Sequence, residues 1–462
     1  MPLIKSISGI RGTIGGKPGE NLTPLDIVQF TAAYAQWLKN QNAVQVVVVG
    51  RDGRISGPHV LELVIQTLVS QSIDVVNLDL TTTPTVEMAV PYHRAGGGII
   101  ITASHNPEEW NALKLLNSKG EFISAEDGKQ LITIANNLNV CFAEVRKFGK
   151  VINDESALGR HIDALVTHPL SNIAAIKKKN FKIVVDAINS SGAMAVPSLL
   201  AQCGVEQIIV QNADMHGKFN HNPEPLPENL VSLCEAVLAE KADLGIAVDP
   251  DVDRLCFVAE DGTLFGEEYT LVAIADYFLQ NRKGNTVSNM SSTRALKDIT
   301  EAHGACYFAS AVGEVNVVKK MKEVNAIIGG EGNGGIIVPD LHYGRDALAG
   351  IVFFLTFLAL QDEPVSAIRK RYPDYFMSKN KILLDPQMDV ADIFQHIQLK
   401  YSHLPTNNTD GLKIDFENGW IHLRTSNTEP IIRIYTESNT PHSAKSMAEE
   451  VKKEIMMLTE KK

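Results

Sequence analysis

Short β-branched runs recur along this chain, each closed by a polar turn and followed by an apolar pattern of helical spacing. Residues 44–49 form one such run, ended by Gly50-Arg51-Asp52-Gly53-Arg54, and residues 60–70 then repeat at helical intervals. Residues 74–78 and 98–101 are further short strands bounded by turn residues. Strand and helix in alternation predict an α/β fold with mixed sheets. The pattern restarts at residues 181–186, with the small polar loop Asn189-Ser190-Ser191-Gly192, a helix over 193–203 and a strand over 207–210. A third start lies at 284–287, with a helix over 294–303. Residues 119–126 and 261–268 both read as a hairpin feeding a helix, so the chain is two or three related α/β units in tandem.

From about residue 373 the grammar changes. Strands at 382–384, 412–416, 420–424 and 431–435 are grouped between helices at 390–401 and 444–458, the pattern of a smaller α+β domain. A chain of 462 residues exceeds one ordinary core. The expected domains are 1–150, 151–255, 256–372 and 373–462.

Net charge is −11, which argues against nucleic acid or an anionic membrane as the main partner. The longest apolar run, residues 351–360, is far short of the ~20 residues a spanning helix needs, so it reads as a buried helix. The first eight residues lack the apolar stretch of a signal peptide. Five widely spaced cysteines without a CxxC pair suit reduced thiols and a cytoplasmic protein.

Two strings carry most of the chemistry. Thr102-Ala103-Ser104-His105-Asn106-Pro107 presents a hydroxyl just past a strand end, where binding groups of open α/β sheets gather. A lone serine in such a place more often caps a helix. His105 is adjacent, and neighbours in a strand or turn usually point apart, so a Ser–His dyad is not expected. Asp249-Pro250-Asp251-Val252-Asp253-Arg254 sets carboxylates at every other position. Alternate residues of an extended segment share one side, and oxygen ligands at that density suit Mg²⁺. An EF-hand is rejected because Arg254 stands where that loop needs Gly and the flanks read as strands. Arg254 either holds a phosphate near the metal or neutralises the acids.

Three weaker strings remain. Glu331 lies among five glycines in residues 329–335; a carboxylate there suits sugar hydroxyls, with a flexible turn an equal alternative. Arg424-Thr425-Ser426-Asn427-Thr428, with Arg433 beyond it, offers the donors of a phosphate clamp. Arg11 and Lys114 are isolated basic residues.

Taken in order, these strings resemble the α-D-phosphohexomutase family, which includes phosphoglucosamine, phosphomannose and phosphoglucose mutases. The resemblance spans the chain from Ser8 to the Arg433 region. It implies four domains around one cleft, three related α/β domains and a smaller C-terminal one. It implies that Ser104 carries the phosphoryl group, and that Asp249, Asp251 and Asp253 hold Mg²⁺ together with a phosphoserine oxygen. Glu331 matches the acid that reads sugar hydroxyls. Arg424, Ser426, Asn427, Thr428 and Arg433 match the clamp for the phosphate that is not transferred. Arg11, Lys114 and Arg254 match basic groups near the moving phosphoryl, with Lys114 as general acid/base. Gly313, Glu314 and Asn316 align with a further sugar-facing loop.

The chain departs from many members at Asn333-Gly334-Gly335, where a Ser-Gly-His ending is common; Asn333 is counted with the substrate-binding set and no histidine role transfers. Asn427 is shared with phosphomannose-type members, whereas the Gly-Glu-Gly-Asn-Gly-Gly string resembles archaeal members often assigned to glucosamine phosphate. The implied partners are a hexose phosphate and its bisphosphate, and the favoured sugar is glucosamine. The rivals are phosphomannose or phosphoglucose mutase, a metal-dependent sugar phosphatase using a carboxylate nucleophile, and a non-catalytic sugar-phosphate-binding regulator.

Overall fold

The computed structural model describes residues 3–6, 9–137, 140–384, 389–426 and 431–460. The chain forms two compact units, Met1–Tyr277 with Asn333–Ile368, and Phe278–Gly332 with Arg369–Lys462.

In the first unit a seven-stranded mixed sheet runs in the order Ile4–Ser6, Gly9–Thr13, Trp110–Leu116, Gly97–Ile101, Val46–Arg51, Asp74–Leu80, Val151–Asn153. The central strands pair in parallel, Val47 opposite Gly97 and Val75, because helices cross over between them. Helices Pro24–Asn40 and Gly57–Val69 bury one face, with Phe30, Tyr34, Leu38, Val64 and Leu68 in a common core with Val47, Val49, Ile99 and Ile101. Helix Thr83–Tyr92 covers the other face through Val86 and Val90. The central strands Val46–Arg51 and Gly97–Ile101 are buried on both sides and therefore read as continuous apolar runs.

The second sheet of this unit has the order Leu255–Ala259, Leu244–Val248, Lys182–Asp186, Gln207–Gln211, with only the first pair antiparallel. Two expected boundaries thus fall inside or beside sheets: Val151 pairs with Val75, and residues 255–259 complete the second sheet. The acidic string is the turn that joins the antiparallel pair Leu244–Val248 and Leu255–Ala259. Both expected hairpins close, through bridges Leu116–Phe122 and Val258–Leu264. The apolar run lies in helix Ala347–Leu360, capped by Asp346 Oδ1, which accepts from Leu348 N at 2.9 Å and Ala349 N at 3.1 Å.

The second unit contains the parallel strands Tyr307–Ser310, Asn285–Asn289 and Ala326–Glu331, flanked by helices Ala295–Ala302 and Glu314–Val324. It also holds an antiparallel five-stranded sheet in the order Phe376–Leu383, Ile431–Ser438, Gly419–Thr425, Leu412–Phe416, Thr406–Asn407. Helices Val390–Lys400 and Pro441–Glu460 bury that sheet through Ile393, Ile397, Val451 and Ile455. Among the described residues, no helix is long and apolar enough to cross a membrane.

Candidate active site

Ser104 follows the fully buried strand Gly97–Ile101 and adopts φ 49°, the left-handed region that a non-glycine residue enters at a cost of about 1–3 kcal/mol. No helix follows it, so it caps nothing; the chain returns as strand Trp110–Leu116. Two interactions hold the conformation. Ser104 N donates to Thr102 Oγ1 at 2.9 Å, and that hydroxyl donates to Asp52 Oδ2 at 2.6 Å. The fully buried Arg54 guanidinium donates to the carbonyls of Ser104, Asn106, Pro107 and Trp110 at 2.5, 2.6, 2.6 and 2.9 Å. Its Nε donates to Asp52 Oδ2 at 3.1 Å. A charged fork that meets four carbonyls of one loop fixes that loop's shape.

The three aspartates converge, but not through strand alternation. Val252 takes φ 62° and its N–H bonds to Asp249 O at 3.1 Å, so the string is a tight turn. Ser190 Oγ accepts from Gly53 N at 2.9 Å and donates to Pro250 O at 2.7 Å, tying this turn to the Arg54 loop. Carboxylate oxygens of Asp249, Asp251 and Asp253 lie within 4.8 Å of one another, all on residues with 0% exposure. Ser104 Oγ donates to Asp249 Oδ2 at 2.7 Å. Thr83 Oγ1 and Lys114 Nζ donate to Asp251 Oδ2 at 2.6 and 2.7 Å. Asp253 Oδ2 accepts from Arg345 Nη2 at 2.6 Å and Lys114 Nζ at 3.3 Å. Asp251 Oδ1 and Asp253 Oδ1 are buried and accept no hydrogen bond among the described residues. Orphaned carboxylate oxygens at this density are the donor set of a hard cation, so the triad could hold a metal ion.

The electrostatics follow from burial and neighbours. Burial, then Asp253 and Asp251, pushes the Asp249 carboxyl well above its usual range. Burial acts the same way on Asp253, but Arg345, Lys114 and Arg254 outweigh it and hold that group ionised. For Lys114, burial works against the charge while Asp251 and Asp253 more than restore it, leaving the ammonium above its ordinary value. Lys114 occupies the strand beside the serine strand, paired with Ile100.

Arg11 Nη1 donates to Asn106 Oδ1 at 2.8 Å, and burial, followed by Arg254, brings its guanidinium down to about 10. Arg254 Nη1 donates to Glu224 Oε1 at 3.0 Å, and its Nε is 3.9 Å from Asp253 Oδ1. His105 Nδ1 comes within 3.4 Å of Ser104 Oγ, closer than expected of neighbours, because the left-handed serine turns its side chain back. Burial, with Arg254 and Arg11, lowers His105 well below its ordinary value, so it is neutral.

In the second unit, Glu331 Oε1 accepts from Asn289 Nδ2 at 2.9 Å and from Gly313 N at 3.1 Å. Gly313 has φ 110°, which suits glycine, and Asn316 Nδ2 closes its loop onto Val312 O at 2.9 Å. Arg424 and Arg433 are directly opposed on adjacent strands, an arrangement of like charges that favours an anion between them. Ser426 N donates to Ile431 O at 3.0 Å. Asn427 and Thr428 lie outside the described residues. In the first unit, Asn333 Oδ1 accepts from Gly335 N at 3.2 Å, shaping the turn in which a Cβ on Gly334 would meet Leu255 O at 1.9 Å. Sequence reasoning did not single out Arg54, Asp52, Thr83, Ser190, Arg345 or Asn289. Each is an ordinary polar residue in the string, and only burial reveals it.

Four family models match in order: the phosphoglucomutase/phosphomannomutase alpha/beta/alpha domains I, II and III at residues 3–139, 159–262 and 266–375, and the C-terminal domain at 379–454. A phosphoglucomutase/phosphomannomutase of Thermococcus kodakarensis is 34% identical, with 95% of this chain and 96% of the relative covered. A phosphoglucosamine/phosphogalactosamine mutase of Sulfurisphaera tokodaii is 28% identical over 96% and 97%. The fold superposes on a phosphoglucomutase/phosphomannomutase family protein of Burkholderia thailandensis with TM-score 0.83 at 23% identity, covering 98% and 97% of the two chains. It also superposes on an Aspergillus fumigatus N-acetylphosphoglucosamine mutase solved with GlcNAc-6P and magnesium, TM-score 0.58 at 14% identity over 98% and 96%. With all four domains matched in order and a relative aligned along nearly the whole length, the chain belongs to the phosphoglucomutase/phosphomannomutase family and is a phosphohexomutase, an isomerase that works by phosphotransfer.

Proposed function

We propose that the chain interconverts glucosamine 6-phosphate and glucosamine 1-phosphate, with Ser104 carrying the phosphoryl group between turnovers. The observation that carries this reading is the 2.7 Å bond from Ser104 Oγ to Asp249, inside a triad with two orphaned oxygens. Asp249, Asp251 and Asp253, with an oxygen of phosphorylated Ser104, would hold Mg²⁺, which when bound offsets charge on the phosphoryl group.

The chain's own residues do the rest. Phospho-Ser104 gives its phosphoryl to the free hydroxyl of a bound hexose monophosphate, breaking the serine O–P bond and forming a sugar O–P bond. The bisphosphate so made returns its other phosphoryl to Ser104. Arg11 and Arg254 balance the negative charge of the moving group. Lys114, held protonated by its carboxylates, gives a proton to the departing serine oxygen and takes up the one the sugar hydroxyl releases. Glu331, positioned by Asn289 and Gly313, accepts from sugar hydroxyls. Arg424, Ser426, Asn427, Thr428 and Arg433 grip the phosphate that is not transferred, and Asn333 shapes the sugar loop. Glucosamine is favoured by the Gly-Glu-Gly-Asn-Gly-Gly string and by relatives named as probable phosphoglucosamine mutases at 28–30% identity, such as that of Methanopyrus kandleri. Five free cysteines suit a reducing compartment, and we infer a cytoplasmic enzyme.

The test compares turnover of the 6-phosphates of glucosamine, mannose and glucose. Glucosamine 6-phosphate should give the highest kcat/KM, and intact protein should carry one phosphoserine at residue 104. Ser104→Ala should remove isomerisation while leaving the thermal unfolding curve unchanged. Release of inorganic phosphate in place of isomerisation, or full activity in Ser104→Ala, overturns the assignment.

A further inference from the structure

Away from the aspartate triad, but within the same compact unit, a helix and the segment leading into another bring two imidazoles and a carboxylate to one point. His161 lies on helix Ala157–Val166, and His342 and Asp346 precede helix Ala347–Leu360. Both Nε2 atoms face the same oxygen, Asp346 Oδ2, at 2.9 Å from His161 and 3.3 Å from His342, while Asp346 Oδ1 is committed to the helix cap. The ligand-capable atoms lie within 4.8 Å of one another. The rings meet edge to face, 89° apart.

The other nitrogen of each ring faces a polar neighbour. His161 Nδ1 is 2.9 Å from Thr85 Oγ1, and His342 Nδ1 is 3.2 Å from Glu87 Oε2. Oriented imidazoles backed by a hydroxyl or carboxylate are the outer shell of a transition-metal site. Glu87 is 1% exposed, and neither of its oxygens accepts a well-aligned hydrogen bond among the described residues. Glu87 and Asp346 form no ion pair with Lys or Arg among those residues, so their charge is balanced by a proton of their own, by imidazole protons or by a cation. Two carboxylates with two neutral imidazoles balance one divalent ion. With bonds of about 2.05 Å, separations of 2.9 and 3.3 Å subtend about 90° and about 107° at an ion, within tetrahedral tolerance.

We propose that His161, His342 and Asp346 form a second metal site, selective for a zinc-type transition-metal ion rather than Mg²⁺, with Glu87 and Thr85 as its outer partners. Nitrogen donors favour Zn²⁺ and Co²⁺ over hard cations. The ion would join helices Thr83–Tyr92, Ala157–Val166 and Ala347–Leu360. It would also anchor Arg345, the neighbour of Asp346 that holds Asp253.

The experiment adds Co²⁺ to the full-length, chelator-treated protein in excess Mg²⁺ and reads the visible d–d bands of a low-symmetry, nitrogen-ligated site. One equivalent should bind and raise the unfolding temperature. The signal should survive Asp251→Asn, disappear in His161→Gln and His342→Gln, and weaken about 10–100-fold in affinity in Glu87→Gln. Absence of the bands in the unmodified protein overturns the proposal without reliance on any variant. Bands lost in Asp251→Asn but retained in His161→Gln overturn it as well, since the ion would then sit at the triad.

Discussion

Arg54 grips Ser104 by its backbone: Nη2 donates to the serine carbonyl at 2.5 Å while the side-chain hydroxyl stays free to bond Asp249. The hydroxyl's position is therefore set by a guanidinium that never touches it. Asp52 completes the support, since its Oδ2 receives both Arg54 Nε and Thr102 Oγ1. Burial pushes the Asp52 carboxyl up and Arg54 opposes that. Arg54→Lys should thus lose stability by about 3–5 kcal/mol, because one ammonium cannot bond Asp52 and the four loop carbonyls at once and leaves some of these buried acceptors unpaired. A misplaced hydroxyl should also lower kcat by about 10²-fold with KM little changed. Chemical denaturation and steady-state kinetics on the same preparation check both, and an unaltered midpoint would dismiss the pair as incidental.

Lys114 competes with any cation for the triad, because its Nζ bonds Asp251 Oδ2 and Asp253 Oδ2. Lys114→Met should therefore move two observables in opposite directions. Turnover should fall by about 10²–10⁴-fold if the ammonium handles the hydroxyl proton. Metal affinity should rise, since two carboxylates lose a competing positive neighbour. Calorimetric Mg²⁺ titration alongside kcat separates this from general damage, which would lower both.

How much of this was legible from residues alone differs by element. The strand end at Asp186 was clear, whereas the run expected to stop before Gly50 continues in the sheet to Arg51. The two hairpins were clear because Lys119-Gly120 and Asp261-Gly262 carry turn chemistry, with Gly120 at φ 76° and Gly262 at φ 77°. Ser104 and the aspartates stood out as strings, but the stated reason for their convergence was wrong. A left-handed Val252 makes a turn that sequence does not announce, since valine rarely adopts it. Arg54, Arg345 and Asn289 stayed invisible because burial of a polar side chain is a property of the packed fold. Lys114 was a weak candidate in the string and took its role from the resemblance, and its burial between two carboxylates is what distinguishes it from a surface lysine.

Asn289 should tune substrate binding without touching the phosphoryl chemistry. It donates to Glu331 Oε1, as Gly313 N also does. Asn289→Ala leaves the carboxylate with one fewer tether and should weaken its contribution by about 1–3 kcal/mol. The expected signature is a raised KM for the sugar phosphate with kcat changed less, measured by initial rates across substrate concentration. A kcat loss at constant KM would place Asn289 in the chemical step instead.

His422 makes the second unit sensitive to acid. Its Nδ1 lies 2.9 Å from Ser291 Oγ and its Nε2 2.7 Å from Asp410 O. Burial, against the carbonyl of Asp410 and aided by Lys413, lowers the imidazole from 6.5 to about 4. The unfolded chain therefore binds more protons than the folded one between those values. The stability is fully present above pH 6.5 and declines as the pH falls through the window to about 4, by about 3 kcal/mol in all. His422→Gln keeps a side chain that can donate to Asp410 O but cannot titrate. Urea unfolding of both proteins from pH 7 to 4 should give curves that diverge in the acid range, with the wild-type protein losing more. Parallel pH dependences would show that His422 accepts its proton without disturbing the fold.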